Sequence, residues 1–182
     1  MPLWVKFHLD DLHEALTEDA IRNVIRNLPR DLCETYARII RKLHIGPGGA
    51  QKIEVMKKVV RWVVCARRPL RLDELEEAVG LEKSDTYLHA ERSATHAGPK
   101  LISACGNLII YSRDDDLVTL AHHTVQKFLC SSTTPEGISY PESVHFDLST
   151  GDHDLGELCV AYPSFTDFET QLTKVPYPVT LD

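Results

Sequence analysis

The chain has 182 residues, of which 43% are hydrophobic and 26% charged, the composition of a globular protein with an ordinary core. Its net charge of −7 argues against a general nucleic-acid binder, because such proteins usually carry a basic surplus. No stretch approaches the ~20 apolar residues of a membrane-spanning helix, and charged residues interrupt any apolar run near the N-terminus. We therefore expect a cytoplasmic protein without a membrane partner.

The first part of the chain predicts a helical segment. Apolar residues recur at helical spacing over residues 3–16. Thr17 is placed to cap a second helix, which should stop ahead of a proline. Asp31 is placed to cap a third helix, which the glycine- and proline-rich stretch 46–49 must end. We predict a helical subdomain over residues 1–47.

Residues 50–132 predict a second unit. Apolar periodicity, helix-ending residues and β-branched runs divide it into helices and a β-hairpin. The predicted elements are helices over 50–66, 72–79, 99–105 and 123–130, strands over 107–111 and 117–120, and a loop over 82–98. Three helices followed by a hairpin is the layout of a winged helix, with the hairpin as the wing. The predicted fold class is therefore mostly α with a small β-hairpin.

Alternation along the hairpin predicts which side chains face the same way. Successive side chains of a strand point to opposite faces. Leu108 and Ile110 should therefore share one face, and Val118 and Leu120 should share another.

The acidic charge is concentrated in the last part of the chain. From Thr133 onward there are nine acidic residues and one lysine, a net charge of −8, so the first 132 residues carry about +1. A weak apolar pattern predicts a helix near residues 155–162, followed by a proline-rich end. We predict that residues 133–182 form an acidic, partly helical connector.

The cysteines predict a reducing compartment. Their number is odd and no CxxC occurs, which argues against a disulfide scaffold. Their apolar neighbourhoods predict that they are small buried hydrophobic residues. The five are Cys33, Cys65, Cys105, Cys130 and Cys159.

The predicted winged helix lacks the basic and amide residues that a DNA-binding winged helix uses to contact DNA. The helix before the hairpin should carry basic and amide side chains near its start, but it reads PKLISACGN and offers one lysine. The wing tip, Asp114–Asp116, would repel phosphate. Protein packing is the favoured interpretation, and DNA binding remains the alternative because of one basic run. That run is a solvated helix face or a contact for an acidic partner surface, and it consists of Lys57, Lys58, Arg61, Arg67, Arg68 and Arg71.

The stretch LVTLAHHTVQKFL places His122 and His123 at a strand-to-helix junction. An imidazole there can cap the helix or meet a phosphate. Cys130 lies about two helical turns from His122, which disfavours a thiol–imidazole pair. A structural zinc site needs about four convergent ligands, which this stretch does not offer. The sequence therefore predicts no enzyme, no catalytic residue and no metal.

Three stretches resemble the winged-helix region of fungal NACHT proteins, which belong to the STAND class of signalling NTPases. They are RWVVCARRPLRLDELEEAV, KLISACGNLIIY and LAHHTVQKFL. The same module is known as the GPI inositol-deacylase winged helix domain, a name that does not imply deacylase chemistry here. Upstream, LWVKFHLDDLHEAL and LPRDLCETYARIIRKL are similar to the helical end of a NACHT nucleotide-binding region. The tail HFDLSTGDHDLGELCVAYPSFTDFETQL resembles a segment that leads towards ankyrin or other repeats, so the likeness covers about residues 3–172.

The resemblance implies a nucleotide-sensing role for the histidine junction. In the wider class, a histidine of the MHD motif contacts the β-phosphate of the nucleotide, and His122 matches it by position. His123 stands where the motif has aspartate, which is a departure. The 182 residues contain no GxxxxGK[ST], the loop that cradles phosphates. ATP or ADP is therefore expected only where a longer protein supplies the NTPase core. We expect the chain to be a fragment of such a protein, and a degenerate paralogue and a truncated gene product are the alternatives.

The resulting expectation is a non-catalytic regulatory arm in a NACHT/STAND-type signal-transduction protein. Its partner would be the NTPase core or a related full-length protein. Alone in solution the arm would expose surface that this core covers, so we expect it to associate. The alternatives are a DNA-binding winged helix and a stand-alone protein-interaction adaptor.

Overall fold

The computed structural model describes residues 5, 9, 12–13, 15–28, 31–92, 97–131 and 139–169. This part of the chain is mainly helical and carries a small antiparallel sheet of three strands. The predicted fold class, mostly α with a small β element, is confirmed. Within the described residues, no helix combines the length and apolar character that crossing a membrane requires.

The predicted first helix lies mostly outside the described residues. Leu16, its predicted last residue, is not helical and is 95% exposed, so the helix ends earlier than expected. The reason is local, because Thr17 adopts an extended conformation (φ −130°, ψ 154°) to cap the next helix. The described helical residues of this segment are Val5, Leu9, Leu12 and His13.

The two caps predicted near the N-terminus are confirmed. Helix α1 (Glu18–Arg26) begins where the Thr17 hydroxyl accepts a hydrogen bond from the backbone N–H of Ala20 at 3.2 Å. Helix α2 (Leu32–Ile45) begins where the Asp31 carboxylate accepts from the N–H of Glu34 at 2.8 Å. The helices differ in burial: none of the nine residues of α1 is buried, whereas α2 buries one face.

The predicted elements of the second unit are present, with ends shifted by one or two residues. They are α3 (Gly49–Cys65), α4 (Leu72–Ala78), α5 (Gly98–Ala104), β2 (Ile109–Ser112), β3 (Leu117–Leu120) and α6 (His123–Leu129). The prediction missed strand β1 (Leu70–Arg71), which pairs with Val118 and Leu117, so the sheet has the order β1–β3–β2. Two residues are too few to show a sequence periodicity, and this strand exists because β3 offers its free edge.

The prediction of which residues of β2 face the core was wrong by one residue. Ile109 is buried, whereas Ile110 is 44% exposed, so Leu108 and Ile110 do not share a face. Leu108 is buried but precedes the strand, after a turn in which Gly106 (φ 55°) and Asn107 (φ 65°) are left-handed. Because of this turn, the alternation of buried and exposed side chains in β2 starts at Ile109. Ile109 lies opposite Leu120 and Tyr111 opposite Val118, so the predicted pairing of Val118 with Leu120 on one face holds.

The hydrophobic core extends across the predicted boundary at residue 47. Three α2 residues are fully buried in the same cluster as α3, the sheet and α6: Tyr36, Ala37 and Ile40. The Tyr36 ring lies 5.5 Å from the Phe128 ring of α6, between centroids. The turn at 46–49 therefore separates two helices of one core and does not separate two cores.

The C-terminal segment is more ordered than a weak helix near 155–162. Helix α7 (Leu148–Ala161) starts seven residues earlier than predicted, because Asp147 caps it by accepting from the N–H of Thr150 at 2.8 Å. Two 3₁₀ turns follow, Tyr162–Ser164 and Thr166–Phe168. A hydrogen bond from the N–H of Phe146 to the carbonyl of Leu129, 3.1 Å, ties the segment to the end of α6.

The cysteines are less buried than predicted. Cys105 is buried as expected, and Cys65 and Cys130 are half-buried. Cys33 and Cys159 are exposed, because each lies on the outward face of its helix. All five thiols are free.

Candidate functional site

The predicted phosphate-sensing junction is a capped helix start. His122 is the N-cap of α6, and its Nδ1 accepts from the backbone N–H of Thr124 at 3.4 Å and lies 2.8 Å from the Thr124 hydroxyl. His123 opens the helix, and the two imidazole centroids lie 4.1 Å apart. Both histidines are exposed. The structure thus brings the two residues together on the surface. Nδ1 of His122 is used in the contact with Thr124, so a ligand would meet its Nε2.

The junction is held in place from beneath. The Thr124 hydroxyl forms a 2.7 Å hydrogen bond with the phenol of Tyr36, which is fully buried in α2. Val125 and Phe128 anchor the inner face of α6 in the core. Sequence reasoning missed Thr124 and Tyr36, since residues 88 positions apart carry no local signal of their contact. Any ligand at His122 would therefore meet an imidazole on a rigid support.

The basic run is brought together with acids of the same chain. Five of the six basic side chains have a carboxylate within 4 Å. The sixth, Arg61, lies over an aromatic ring. The pairs are Lys57–Glu54 (2.9 Å), Lys58–Glu82 (3.7 Å), Arg67–Asp152 (2.9 Å), Arg68–Glu74 (2.6 Å), Arg71–Asp73 (3.2 Å) and Arg71–Asp116 (3.4 Å), with Arg61 at 5.6 Å from the Phe146 ring.

The acidic tail supplies part of this pairing. Asp152 of α7 meets Arg67, and Asp154 and Glu157 meet Lys83 at 2.7 and 2.5 Å. One carboxylate that meets the basic run therefore comes from α7 of the same chain. The opposite charges of the two parts of the sequence were the one available signal of this docking. An external partner of the run would have to compete with these pairs.

The helix in the recognition position offers little to nucleic acid. Leu101 of α5 is buried in the core, and Pro99, Lys100 and Ser103 are its exposed positions, so one cation faces solvent. The wing tip stays acidic, with Asp116 accepting from the Tyr111 hydroxyl at 2.9 Å. A groove-reading helix needs several basic or amide side chains at the interface.

A groove of about 540 Å³ lies between the winged helix and α7. Its floor is apolar, with side chains from α3, β1, α4 and α7, among them Trp62, Leu70 and Leu158. Its size is in the range of small-ligand and peptide pockets, about 300–1,000 Å³. Sequence reasoning did not find this groove, because it forms only when α7 packs against α3 and faces α4 across the gap.

The rim of the groove is charged and ordered. Arg68 donates two hydrogen bonds to Glu74, at 2.8 and 2.6 Å, and this contact lowers the pKa of Glu74 to about 2. The hydroxyl of Tyr162 donates to Glu77 across the groove, and burial together with this carboxylate raises the pKa of Tyr162. Asp73 completes a rim of three carboxylates and one guanidinium. The groove thus presents an apolar floor under an edge of carboxylates that already have partners, since Asp73 also meets Arg71 at 3.2 Å.

The thiols are poorly placed for nucleophilic chemistry. Burial, with Asp152 and Cys130 nearby, raises the pKa of Cys65 to about 11. Burial also raises the pKa of Cys130 and of Cys105. The thiolate is the reactive form, so these groups are held in the unreactive one. Among the described residues, no three or more His, Cys, Asp or Glu side chains gather as metal ligands would.

Comparison with known proteins gives a family and one distant relative. The chain matches the GPI inositol-deacylase winged helix domain over residues 47–138. It is 24% identical over 163 residues to the azaphilone pigments biosynthesis cluster protein L of Monascus ruber. The matched region covers 82% of this chain. The chain spans about a third of that relative's length, 33%. No solved structure matches the chain. Since the family match takes in half of its length, the chain belongs to the GPI inositol-deacylase winged helix domain family.

Proposed function

We propose that this chain is a non-catalytic packing arm of a NACHT/STAND-type signal-transduction protein. The observation that carries the proposal is helix α5, which takes the position of a recognition helix but exposes a single cation. A winged helix whose reading helix is apolar and whose wing is acidic is suited to protein contact. The proposed partner is an NTPase core or a related full-length protein, in the cytoplasm.

The relative's length supports a role within a larger assembly. A winged helix is a small module, and the pigment-cluster relative is about three times as long as the matched region. The shared region is thus one part of a bigger protein there. We propose the same relation here, with nucleotide chemistry supplied by the larger partner.

Within this proposal, His122 and His123 form the nucleotide-facing corner. His122 uses Nδ1 for its cap contact with Thr124, which orients Nε2 away from the helix. ATP or ADP would reach it only when an NTPase core packs against the α6 start. His122 would then sense a phosphate held by another element.

The test is cross-linking of the tagged chain in its native cells, followed by mass spectrometry. Lys127 lies one turn after His123 on α6 and is exposed, so an amine-reactive reagent can report what covers this corner. The expected result is a cross-link from Lys127 to a protein with a GxxxxGK[ST] loop. Cross-links only to proteins without such a loop would contradict the NTPase partner and favour the adaptor.

A second measurement separates packing from DNA binding. A fluorescent mixed-sequence duplex is titrated with the chain at low salt, where phosphate contacts are strongest. We expect no change in anisotropy, because the basic run is paired internally and the wing is acidic. A salt-dependent increase in anisotropy would overturn the proposal in favour of the DNA-binding alternative.

A further inference from the structure

Three side chains form a hydrogen-bond chain that runs from the core to the exposed histidine of the junction. The phenol oxygen of Tyr36 lies 2.7 Å from the Thr124 hydroxyl, and this hydroxyl lies 2.8 Å from Nδ1 of His122. We propose that Thr124 and Tyr36 are positioning residues that hold the His122 imidazole in the tautomer with its proton on Nε2. The nitrogen that a ligand meets is then a hydrogen-bond donor.

The backbone of Thr124 decides where the proton of the ring lies. In a neutral imidazole one nitrogen carries the proton and the other is an acceptor. The N–H of Thr124 points at Nδ1 of His122 at 3.4 Å, and a backbone N–H can only donate. A proton on Nδ1 would face this second N–H, so the proton of the neutral ring belongs on Nε2.

The same contact sets the direction of the whole chain of hydrogen bonds. Because Nδ1 of His122 accepts, the Thr124 hydroxyl donates its one proton to it. The Thr124 oxygen then accepts from the Tyr36 hydroxyl. Tyr36 is fully buried, and its ring lies 5.5 Å from the Phe128 ring, between centroids. The core therefore holds the first donor of the chain, while the last acceptor lies on the surface.

His123 provides a comparison within the same molecule. Its ring is exposed like that of His122, and the two centroids lie 4.1 Å apart. Within the residues that the structure describes, the ring of His123 makes no hydrogen bond. No described contact fixes the position of its proton, so its two neutral tautomers should exchange.

The tautomer of His122 decides what the junction can recognise. An N–H donates to an oxyanion such as a phosphate oxygen, whereas a metal ion binds the lone pair of a nitrogen without a proton. Nδ1 of His122 is already used by Thr124, and Nε2 carries the proton. The ring therefore suits an oxyanion better than a metal ion. The use of this donor toward a phosphate rests on the proposed function, whereas the tautomer does not.

The test is NMR of the full chain with isotope-labelled histidine nitrogens, at alkaline pH, where imidazoles are neutral. Correlations between ring nitrogens and ring carbon-bound protons show which nitrogen carries the proton, and His122→Gln and His123→Gln assign the two rings. His122 should show a protonated-type shift at Nε2 and an unprotonated-type shift at Nδ1. The two shifts of His123 should lie closer together, because exchange averages them. An averaged His122 ring, or a proton on its Nδ1, would overturn the proposal in the wild-type chain alone.

Variants test the two positioning residues. Thr124→Val removes the hydroxyl and Tyr36→Phe removes the donor beneath it, so each should move the two nitrogen shifts of His122 towards each other. Thr124→Ser keeps the hydroxyl and should retain the wild-type pattern. Thr119→Val, which removes a hydroxyl from strand β3, is the matched control and should leave His122 unchanged. Circular dichroism checks that each variant is folded.

The outcomes separate the tautomer from the proposed function. Unchanged His122 shifts in folded Thr124→Val and Tyr36→Phe would show that neither residue sets the tautomer, and the proposal would be wrong. A fixed Nε2–H ring, with cross-links from Lys127 only to proteins without a GxxxxGK[ST] loop, would contradict the proposed function and support the positioning role. An averaged ring with a cross-link to a protein that has this loop would do the reverse.

Discussion

The two flanks of the winged helix show opposite relations between sequence pattern and burial. Helix α1 on the N-terminal side has the clearer apolar stripe, yet none of its nine residues is buried. The C-terminal segment has a weak pattern and many acids, yet it buries residues such as Val144, Phe165 and Phe168. An apolar stripe therefore shows only that a helix can be buried. Whether the helix is buried depends on the surface that the rest of the fold places against it.

The C-terminal flank is held by apolar contacts more than by its ion pairs. Exposed pairs such as those of Lys83 contribute little, because water screens them and long side chains lose freedom. Phe146 packs against the core and lies beneath Arg61, and Tyr140 is buried against Phe128. The ion pairs orient α7, and the aromatic contacts stabilise it.

The largest expected effect breaks the junction between core and C-terminal flank. Phe128 is buried, with the rings of Tyr36, Tyr140 and His145 at 5.5, 6.0 and 5.0 Å. Phe128→Ala should lower the free energy of unfolding by about 3–5 kcal/mol. Urea unfolding followed by circular dichroism measures it, with Ile110→Ala as the exposed control. If both changes cost the same, the junction does not stabilise the fold as described.

The next effect compares two glycines of the same helix. A Cβ at Gly151 would lie 3.0 Å from the Cys65 sulfur and 3.2 Å from the Phe146 ring, whereas one at Gly156 meets no described atom within 4 Å. Gly151→Ala should destabilise by about 1–3 kcal/mol through overpacking. Gly156→Ala should stabilise by about 0.5–1 kcal/mol through helix propensity. Thermal unfolding of both variants should show opposite signs; equal signs would mean that α7 is not docked by its Gly151 face.

A smaller effect concerns the charged rim where the flank meets α4. Contact with Arg68 holds the pKa of Glu74 at about 2 against its ordinary 4.5. The lowered value means that Glu74 stabilises the fold above about pH 4.5, and that this contribution is lost as the pH falls towards about 2. Because the pair is partly exposed, Glu74→Gln should cost less than about 1 kcal/mol at neutral pH.

The pH series also tests the cause of this shift. Glu74→Gln should flatten the dependence of stability on pH between about 4.5 and 2, measured by urea unfolding at several pH values. Arg68→Met removes the other partner and should flatten the same window. An unchanged pH dependence in Arg68→Met would show that another group is responsible.

The smallest effect lies on the N-terminal flank. Ile25 is exposed in the monomer, so Ile25→Asp should change the free energy of unfolding by less than about 0.5 kcal/mol at low protein concentration. Ile40→Asp on α2, at a fully buried isoleucine, is the contrasting variant and should unfold the protein. A large loss of stability in Ile25→Asp would place α1 in the core and remove the difference between the flanks.

What the sequence determined by itself was local. Thr17 and Asp31 cap their helices because an extended residue before the first turn brings its side-chain oxygen close to the N–H three residues on. The order of helices and wing strands followed from periodicity, and the resemblance of three sequence stretches indicated the winged-helix family. His122 was expected either to cap α6 or to meet a phosphate, and the cap contact with Thr124 is present.

The tertiary structure decided the contacts between distant residues. Asp152 meets Arg67 across 85 residues, and the groove exists only because α7 packs against α3 and faces α4. The left-handed turn at Gly106 and Asn107 moved the buried position of β2 to Ile109, which alternation alone could not predict. Short-range contacts depend on residues that are neighbours in the sequence, so the sequence predicts them directly. Docking depends on which of many similar surfaces meet, and this is decided by packing in three dimensions.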